Sequence, residues 1–494
     1  MSERAMPVRG DLLRDRNFIG GIWRDAREDA WLEVADPASG AVIGRVPDST
    51  AADARDAAHA ASDALSEWRA TTARVRAQLL KRWHARILAS SEDLARIISL
   101  EQGKPLGEAL GEVAYGASYV EWFAEEAVRA YGDIIPAGVA GRRMMVVKEP
   151  LGVVAAVTPW NFPLAMLARK AAPALAAGCT VVAKPAEDTP LTALALARLA
   201  EEAGLPAGTV NVGTASRANT AGTVAAWLAD PRVRKVTFTG STAVGKELAR
   251  GSADTLKKLS LELGGNAPFI VFEDADITAA VDGLMRAKFR NGGQTCVSPN
   301  RVYVHDAVYQ EFGRQLVACV AALRVGPAKL ADSEIGPMIN SRAIEKIERH
   351  VRDAISRGAT LMTGGHPVRN AIADGPNYYA PTVLGDASHH MALASEETFG
   401  PVIALFRFRS EDEVVRYAND TPYGLAAYFY SRDPSRIWRV AGRLETGIVG
   451  INEGAFASEA APFGGVKESG YGREGSRYGL DEFLATKYLC QGGL

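Results

Sequence analysis

The sequence predicts an α/β protein built on parallel sheets, in two such domains with small strand extensions. Three observations carry this. Past Leu151 short, uniformly apolar stretches alternate with helical ones, as in a parallel sheet covered on both faces. The alternation resumes after residue 266 with a second set. At 494 residues the chain is also too long for one small core. Apolar content of 47% and charged content of 23% are ordinary for a globular chain.

Taken in order, residues 18–46 read as short strands: Phe18 to Trp23, Trp31 to Val34, and Val42-Ile43 after a turn at Pro37-Ala38-Ser39-Gly40. Residues 51–131 are helical, with Leu79, Leu80, Trp83, Ile87, Leu88, Leu94, Ile97 and Ile98 recurring at spacings of three and four. Gly103-Lys104-Pro105 breaks that run. Arg142 to Lys148 is extended and closes at Pro150.

Strands follow at Val153 to Val157, Thr180 to Ala183, Thr209 to Val212, Lys235 to Thr239 and Leu256 to Leu261. Helices Leu164 to Ala177, Leu191 to Ala203 and Ala243 to Arg250 lie among them. The second set starts with strand Phe269 to Phe272, a helix ending at Phe289, strand 302–304 and helix 308–322. It runs on to Ile448-Val449-Gly450. Glu482 to Cys490 is a lone extended segment that pairs either with 142–148 or with another subunit.

A net charge of −2 without a basic block argues against nucleic acid, which needs clustered Lys and Arg. The amino terminus lacks the apolar core of a signal peptide, and no apolar run is long enough to span a bilayer. Four cysteines without paired spacing form no disulfide framework, so a reducing cytoplasm is expected. The seven histidines are scattered, and no metal site is expected.

Three places carry candidate chemistry. Gly292-Gly293 ends a helix and lets the backbone turn sharply toward a ligand; Cys296 follows, presented rather than packed. Alone, it reads equally as a small buried hydrophobe. Strand 180–183 runs into Lys184 and Glu187, able to hydrogen-bond two ribose hydroxyls at the carboxyl end of a strand. Strand 235–239 runs into Gly240-Ser241 and a helix start that suits a pyrophosphate, although such turns also serve structure alone. Glu187 would repel a 2′-phosphate by roughly 1 to 4 kcal/mol, favouring NAD over NADP. Glu262, between two leucines, is a buried general base or a locally paired carboxylate. Asn161, between aromatics and two prolines, offers an amide donor or marks a plain turn.

The set Pro159-Trp160-Asn161-Phe162-Pro163, Phe238-Thr239-Gly240-Ser241, Leu261-Glu262-Leu263-Gly264-Gly265, Gly293-Gln294-Thr295-Cys296, Glu397-Thr398-Phe399-Gly400-Pro401 and Pro462-Phe463-Gly464-Gly465 resembles the aldehyde dehydrogenase superfamily. Motif order and the Glu262-to-Cys296 spacing match over nearly the whole chain. Lys288-Phe289-Arg290-Asn291, Lys184 to Pro190 and Lys487-Tyr488-Leu489-Cys490 are most similar to succinate-semialdehyde dehydrogenases.

The resemblance implies a fold of NAD-binding domain (1–133 and 151–261), catalytic domain (262–474) and oligomerisation extension (134–150 and 475–494). The assembly would be a homodimer or homotetramer. It implies Cys296 as nucleophile, Asn161 with the Cys296 N–H as oxyanion donors, Glu262 as the base that activates water, and Lys170 and Glu474 in proton handling. Cofactor contacts would come from Thr158, Pro159, Trp160, Lys184, Glu187, Gly240, Ser241, Val244, Leu263, Gly264, Glu397 and Phe399.

Arg169 and Arg290 stand where the semialdehyde enzymes carry carboxylate-binding arginines, with Ser458 and Phe463 completing the substrate site. The expected reaction is NAD-dependent oxidation of succinate semialdehyde. The alternatives are glutarate semialdehyde or an uncharged aldehyde. Glu262 speaks against a CoA-acylating relative, and Cys296 with Glu262 against a non-catalytic one. Two departures stand out. Ala457 replaces the serine expected five residues before the Pro-Phe-Gly-Gly motif, leaving one carboxylate hydrogen bond in doubt. Ser298 replaces a second cysteine found in many relatives.

Overall fold

The computed structural model describes residues 8–369 and 372–494. Met1–Pro7, part of the amino terminus read above as lacking a leader, lies outside them. Two large sheets organise the chain. In the first, the strands run in the order Gly470–Tyr471, Lys258–Glu262, Val233–Thr239, Val153–Val157, Thr180–Lys184, Val210–Val212, Asn17–Ile19, Ile22–Arg24. The inner five are parallel, from Lys258–Glu262 to Val210–Val212. In the second the order is Thr360–Thr363, Thr382–Gly385, Val402–Phe408, Pro299–His305, Ala267–Val271, Ala426–Tyr430, Ile448–Ile451, parallel except for the first strand.

The predicted helical run is four helices, Ala51–Ala70, Ala73–Ala89, Ser91–Gln102 and Leu106–Glu126. They pack on the first sheet through Trp68, Leu80, Trp83, Ile98 and Phe123, all buried. A separate core lies under the second sheet, around Phe406, Phe429 and Val414. Glu482 to Cys490 was expected extended; the strand is Leu484–Gln491, antiparallel to Arg143–Pro150, within one chain. Asp133–Ile135 completes that three-stranded sheet.

Three expectations change. Phe18 to Trp23 is a hairpin rather than one strand, because Gly20 and Gly21 both take positive φ (64° and 79°), the twist a two-residue turn needs. The strand expected from Leu256 begins at Lys258, since Leu256 is itself in a left-handed turn (φ 48°) and 90% exposed. The helix Arg217–Ala229, capped by the Ser216 hydroxyl on the Asn219 N–H, gave little apolar periodicity and went unread.

Candidate active site

One cavity of about 400 Å³ runs between the two sheets, and most of the residues singled out in the sequence line it. The loop that carries Cys296 enters from the helix Ile277–Phe289. That helix ends in a short 3₁₀ turn in which Asn291, Gly292 and Gly293 all take positive φ. A Cβ on Gly293 would sit 2.3 Å from the Gly400 carbonyl oxygen, so glycine is required there. That close approach is to the Glu397–Pro401 stretch of the chain.

Cys296 opens onto the cavity and is partly exposed. Burial of its thiol pushes it up to about 12, with the Glu397 carboxyl adding and the Arg169 guanidinium opposing. That shift favours the thiol over the thiolate. Asn161 also lines the cavity. Its Nδ2 donates to the Gln294 carbonyl (3.0 Å), leaving a second N–H for other use, and its Oδ1 has no partner.

Glu262 ends the strand Lys258–Glu262 and is buried, with no hydrogen-bond partner on either carboxylate oxygen. It is not among the cavity-lining residues; it stands behind the wall. Gly464 makes room for it, since a Cβ there would lie 2.9 Å from Glu262 Oε1. Burial, with the Glu474 charge adding, raises its carboxyl well above the ordinary range.

Glu474 is equally buried but touches the Lys170 ammonium and, at 2.7 Å, the Arg169 guanidinium. Burial opposes its ionisation, yet the two cations outweigh that and lower it. Lys170 Nζ also donates to the Thr239 hydroxyl at 2.6 Å. Neither Lys170 nor Glu474 lines the cavity.

The two arginines differ. Arg169 lines the cavity, but it is ion-paired to Glu474, donates to the Tyr115 hydroxyl (3.3 Å) and lies on the Phe463 ring. Arg290 lines the same end with its guanidinium over the rings of Phe162 and Tyr115, 4.7 and 5.4 Å from their centroids. Among the described residues it forms no ion pair within salt-bridge distance. Ala457 and Phe463 complete this end. Ser458 does not reach the cavity, because its hydroxyl accepts from the Ala460 N–H in its own loop.

At the other end, Glu187 lines the cavity and pairs with Lys184 at 3.4 Å; Lys184 lies just behind. Between the ends come Gly240, Ser241, Leu263 and Gly264, then Trp160, Pro159, Glu397 and Phe399. Thr158 and Val244 stand outside the lining: Thr158 N–H donates to the Lys184 carbonyl, and Val244 N–H to the capping Ser241 hydroxyl. The Ser241 hydroxyl faces solvent at the start of the helix Thr242–Ser252, whose first-turn amides are the anion-binding feature read from the sequence. Glu397 is half-buried and accepts from the Gly265 N–H (3.2 Å), and desolvation raises it to about 7. Phe399 holds a strained φ of 56° and meets Trp160 edge-on at 5.5 Å.

Sequence reading missed Tyr115, Arg217 and Arg342 in the lining. Tyr115 sits mid-helix, on a stretch read only for its apolar spacing, and its place depends on how that helix packs. Arg217 begins the unread helix. No group of three or more His, Cys, Asp or Glu suited to a metal occurs among the described residues, and no described helix is long and apolar enough to cross a membrane.

The match to the aldehyde dehydrogenase family model spans residues 23–489. A glutarate-semialdehyde dehydrogenase of Pseudomonas aeruginosa is 51% identical over 483 residues, covering 98% of this chain and 99% of that one. A 3-sulfolactaldehyde dehydrogenase of Pseudomonas putida is 53% identical over 483 residues, covering 98% of both. An Escherichia coli K12 succinate-semialdehyde dehydrogenase named for NADP⁺ is 51% identical over 483 residues, again 98% of both. A family-model match of this extent, with relatives more than half identical over nearly the whole chain, settles the lineage: the chain belongs to the aldehyde dehydrogenase family.

Proposed function

We propose that the chain oxidises a short aldehyde bearing an anionic far end, succinate semialdehyde or a close dicarboxylic semialdehyde, to the acid with NAD(P). The observation that carries this is Arg290, a cavity guanidinium held on two aromatic faces with, among the described residues, no carboxylate within salt-bridge distance. A guanidinium so placed suits a planar carboxylate, which it can bind in two-pronged fashion. Arg169 adds positive potential beside it, although its pairing with Glu474 leaves Arg290 as the principal clamp. A sulfonate end would meet the same cation, in keeping with the name of the 53% relative.

The chemistry starts at sulfur. The Cys296 thiol gives up its proton to water in the cavity, the resulting thiolate bonds to the aldehyde carbon, and the carbonyl pair moves to oxygen. That oxyanion is held by the Asn161 carboxamide and the Cys296 N–H, where preorganised donors act most strongly. When bound, the nicotinamide of NAD(P) supplies the hydride acceptor, and the carbon left on sulfur is a thioester. Glu262 then takes a proton from water, which attacks the thioester and frees the acid with the thiol. Because Glu262 stands behind the cavity wall, it must turn into the cavity for this step. Glu474 and Lys170, whose charges Glu262 feels, would set how readily it gives up that proton.

The cofactor residues fit the cleft. Lys184 and Glu187 would take the adenosine ribose, and Gly240 and Ser241 the pyrophosphate. Glu397 and Phe399 would take the nicotinamide ribose and ring. Glu187 favours NAD, whereas the Escherichia coli relative is named for NADP⁺. The two sheets support the division into a cofactor domain and a catalytic domain, and the sheet of Arg143–Pro150 with Leu484–Gln491 supports a homo-oligomer. A cytoplasmic setting follows from the reduced thiol the reaction needs.

The test is a panel of succinic, glutaric and uncharged aldehydes followed by NADH absorbance, in wild type and Arg290→Ala. The variant should raise KM for the acidic aldehydes by about 10- to 100-fold and for the neutral one by less than about threefold, as loss of a charge-assisted bond predicts. Equal loss on both would remove the clamp.

A further inference from the structure

Behind the two candidate oxyanion donors lies a buried charged assembly that the reaction does not touch. Lys104 is 1% exposed, held in the break between the helices Ser91–Gln102 and Leu106–Glu126. Its Nζ donates to Glu112 Oε2 (2.5 Å) and to the Asn161 carbonyl oxygen (2.8 Å), and it lies 4.0 Å from the Phe162 ring centroid. Glu112 Oε1 accepts from the N–H groups of Leu164 and Ala165, at 2.9 and 3.3 Å. Those are first-turn amides of the helix Pro163–Ala177, which has no side-chain cap from its own N-cap residue, so Glu112 supplies the missing acceptor.

One turn earlier on the same helix face, Glu108 Oε2 accepts from the Asn291 N–H at 2.7 Å. Asn291 in turn donates through Nδ2 to the Asn161 carbonyl oxygen (2.9 Å), and the Asn161 amide reaches the Gln294 carbonyl (3.0 Å). A single helix therefore grips both loops: Glu112 and Lys104 hold the Asn161 loop, and Glu108 holds the loop that ends in Cys296.

We propose that Lys104, Glu108 and Glu112 are positioning residues that fix the separation between the Asn161 carboxamide and the Cys296 N–H. The inference rests on the dehydrogenase reading above. Burying an ammonium and a carboxylate is costly unless both are fully bonded, as they are here, so the pair acts as a rigid spacer. The spacer matters only for a step in which negative charge develops on the substrate oxygen. It is irrelevant to a reaction of the same sulfur that makes no oxyanion.

The experiment compares aldehyde oxidation with alkylation of Cys296 by iodoacetamide, in wild type, Glu108→Leu and Glu108→Gln. Loss of donor placement should lower kcat of Glu108→Leu by about 10- to 100-fold, with KM and the alkylation rate within about threefold of wild type. Glu108→Gln keeps an oxygen for the Asn291 N–H and should restore kcat to within about threefold.

The double variant Lys104→Met with Glu112→Gln, which removes both charges and keeps an acceptor for the helix amides, should repeat the selective kcat loss if it folds. Should it not fold, the Glu108 pair still decides. Unchanged kcat in Glu108→Leu, or kcat, alkylation and Tm falling together, would overturn the inference while leaving the dehydrogenase reading intact. A wild type that alkylates but oxidises no aldehyde with either dinucleotide would remove that reading, and this inference with it.

Discussion

Glu262 and Glu474 are two buried carboxyls in one charged cluster, and their acidities are shifted in opposite directions. Glu474 contacts Lys170 and Arg169, so it is held as a carboxylate. Glu262 has no partner on either oxygen; burial, with the Glu474 charge adding, favours its protonated form. The side chain is the same and so is the depth; contact with a cation makes the difference. One carboxyl is thereby a structural anion and the other a proton carrier able to serve as a base once it gives up its proton.

The largest effect that would break this contrast is on stability. Glu474→Gln strips the partner from two buried cations and should destabilise by about 3 to 5 kcal/mol, read as a loss of denaturant midpoint at pH 7. Glu262→Gln should be neutral or stabilising there. The signs follow from linkage. The folded-state value of Glu474 is lowered, so its contribution is complete above the unfolded value near 4.5 and is lost as pH falls. The folded-state value of Glu262 is raised, so its contribution is complete below the unfolded value near 4.5 and is lost as pH rises through the folded value. Equal destabilisation by both substitutions would mean that Glu262 is ionised and paired.

Next in size is the thiol. With Cys296 held up to about 12, alkylation in the absence of cofactor should rise roughly tenfold per pH unit between 7 and 9. A rate already flat above pH 7 would show an activated thiolate in the empty cleft. The smallest effect concerns the far end of the cavity. Glu187→Ser should improve kcat/KM with NADP relative to NAD by about 10-fold, a magnitude set by removing one close like charge in wet surroundings. No change in the ratio would relieve Glu187 of its role in choosing the dinucleotide.

Much of this was legible in the chain itself, and for physical reasons. Apolar strands in a parallel sheet write themselves as uniform runs, so Val153–Val157 and Thr180–Lys184 were found nearly to the residue. The glycines beside Cys296 and the carboxylate between leucines were visible because both break local rules. Tyr115 was not, since a tyrosine on a packed helix reads as core whichever neighbour it faces. The pairing of Arg169 with Glu474 was equally hidden, because the two are distant in sequence and only the packing of their helix and loop brings them together. Ser458 lies outside the cavity lining, its hydroxyl accepting from the Ala460 N–H of its own loop, and position in sequence does not reveal that turn.

The most direct test of the central claim separates the two halves of the reaction in Glu262→Gln. Mixed rapidly with succinic semialdehyde and NAD, the variant should give a burst of about one NADH per active site. Steady turnover should then fall by about 10²- to 10⁴-fold, as loss of a general base predicts. Sustained turnover at the wild-type rate, or the absence of any burst, would contradict it.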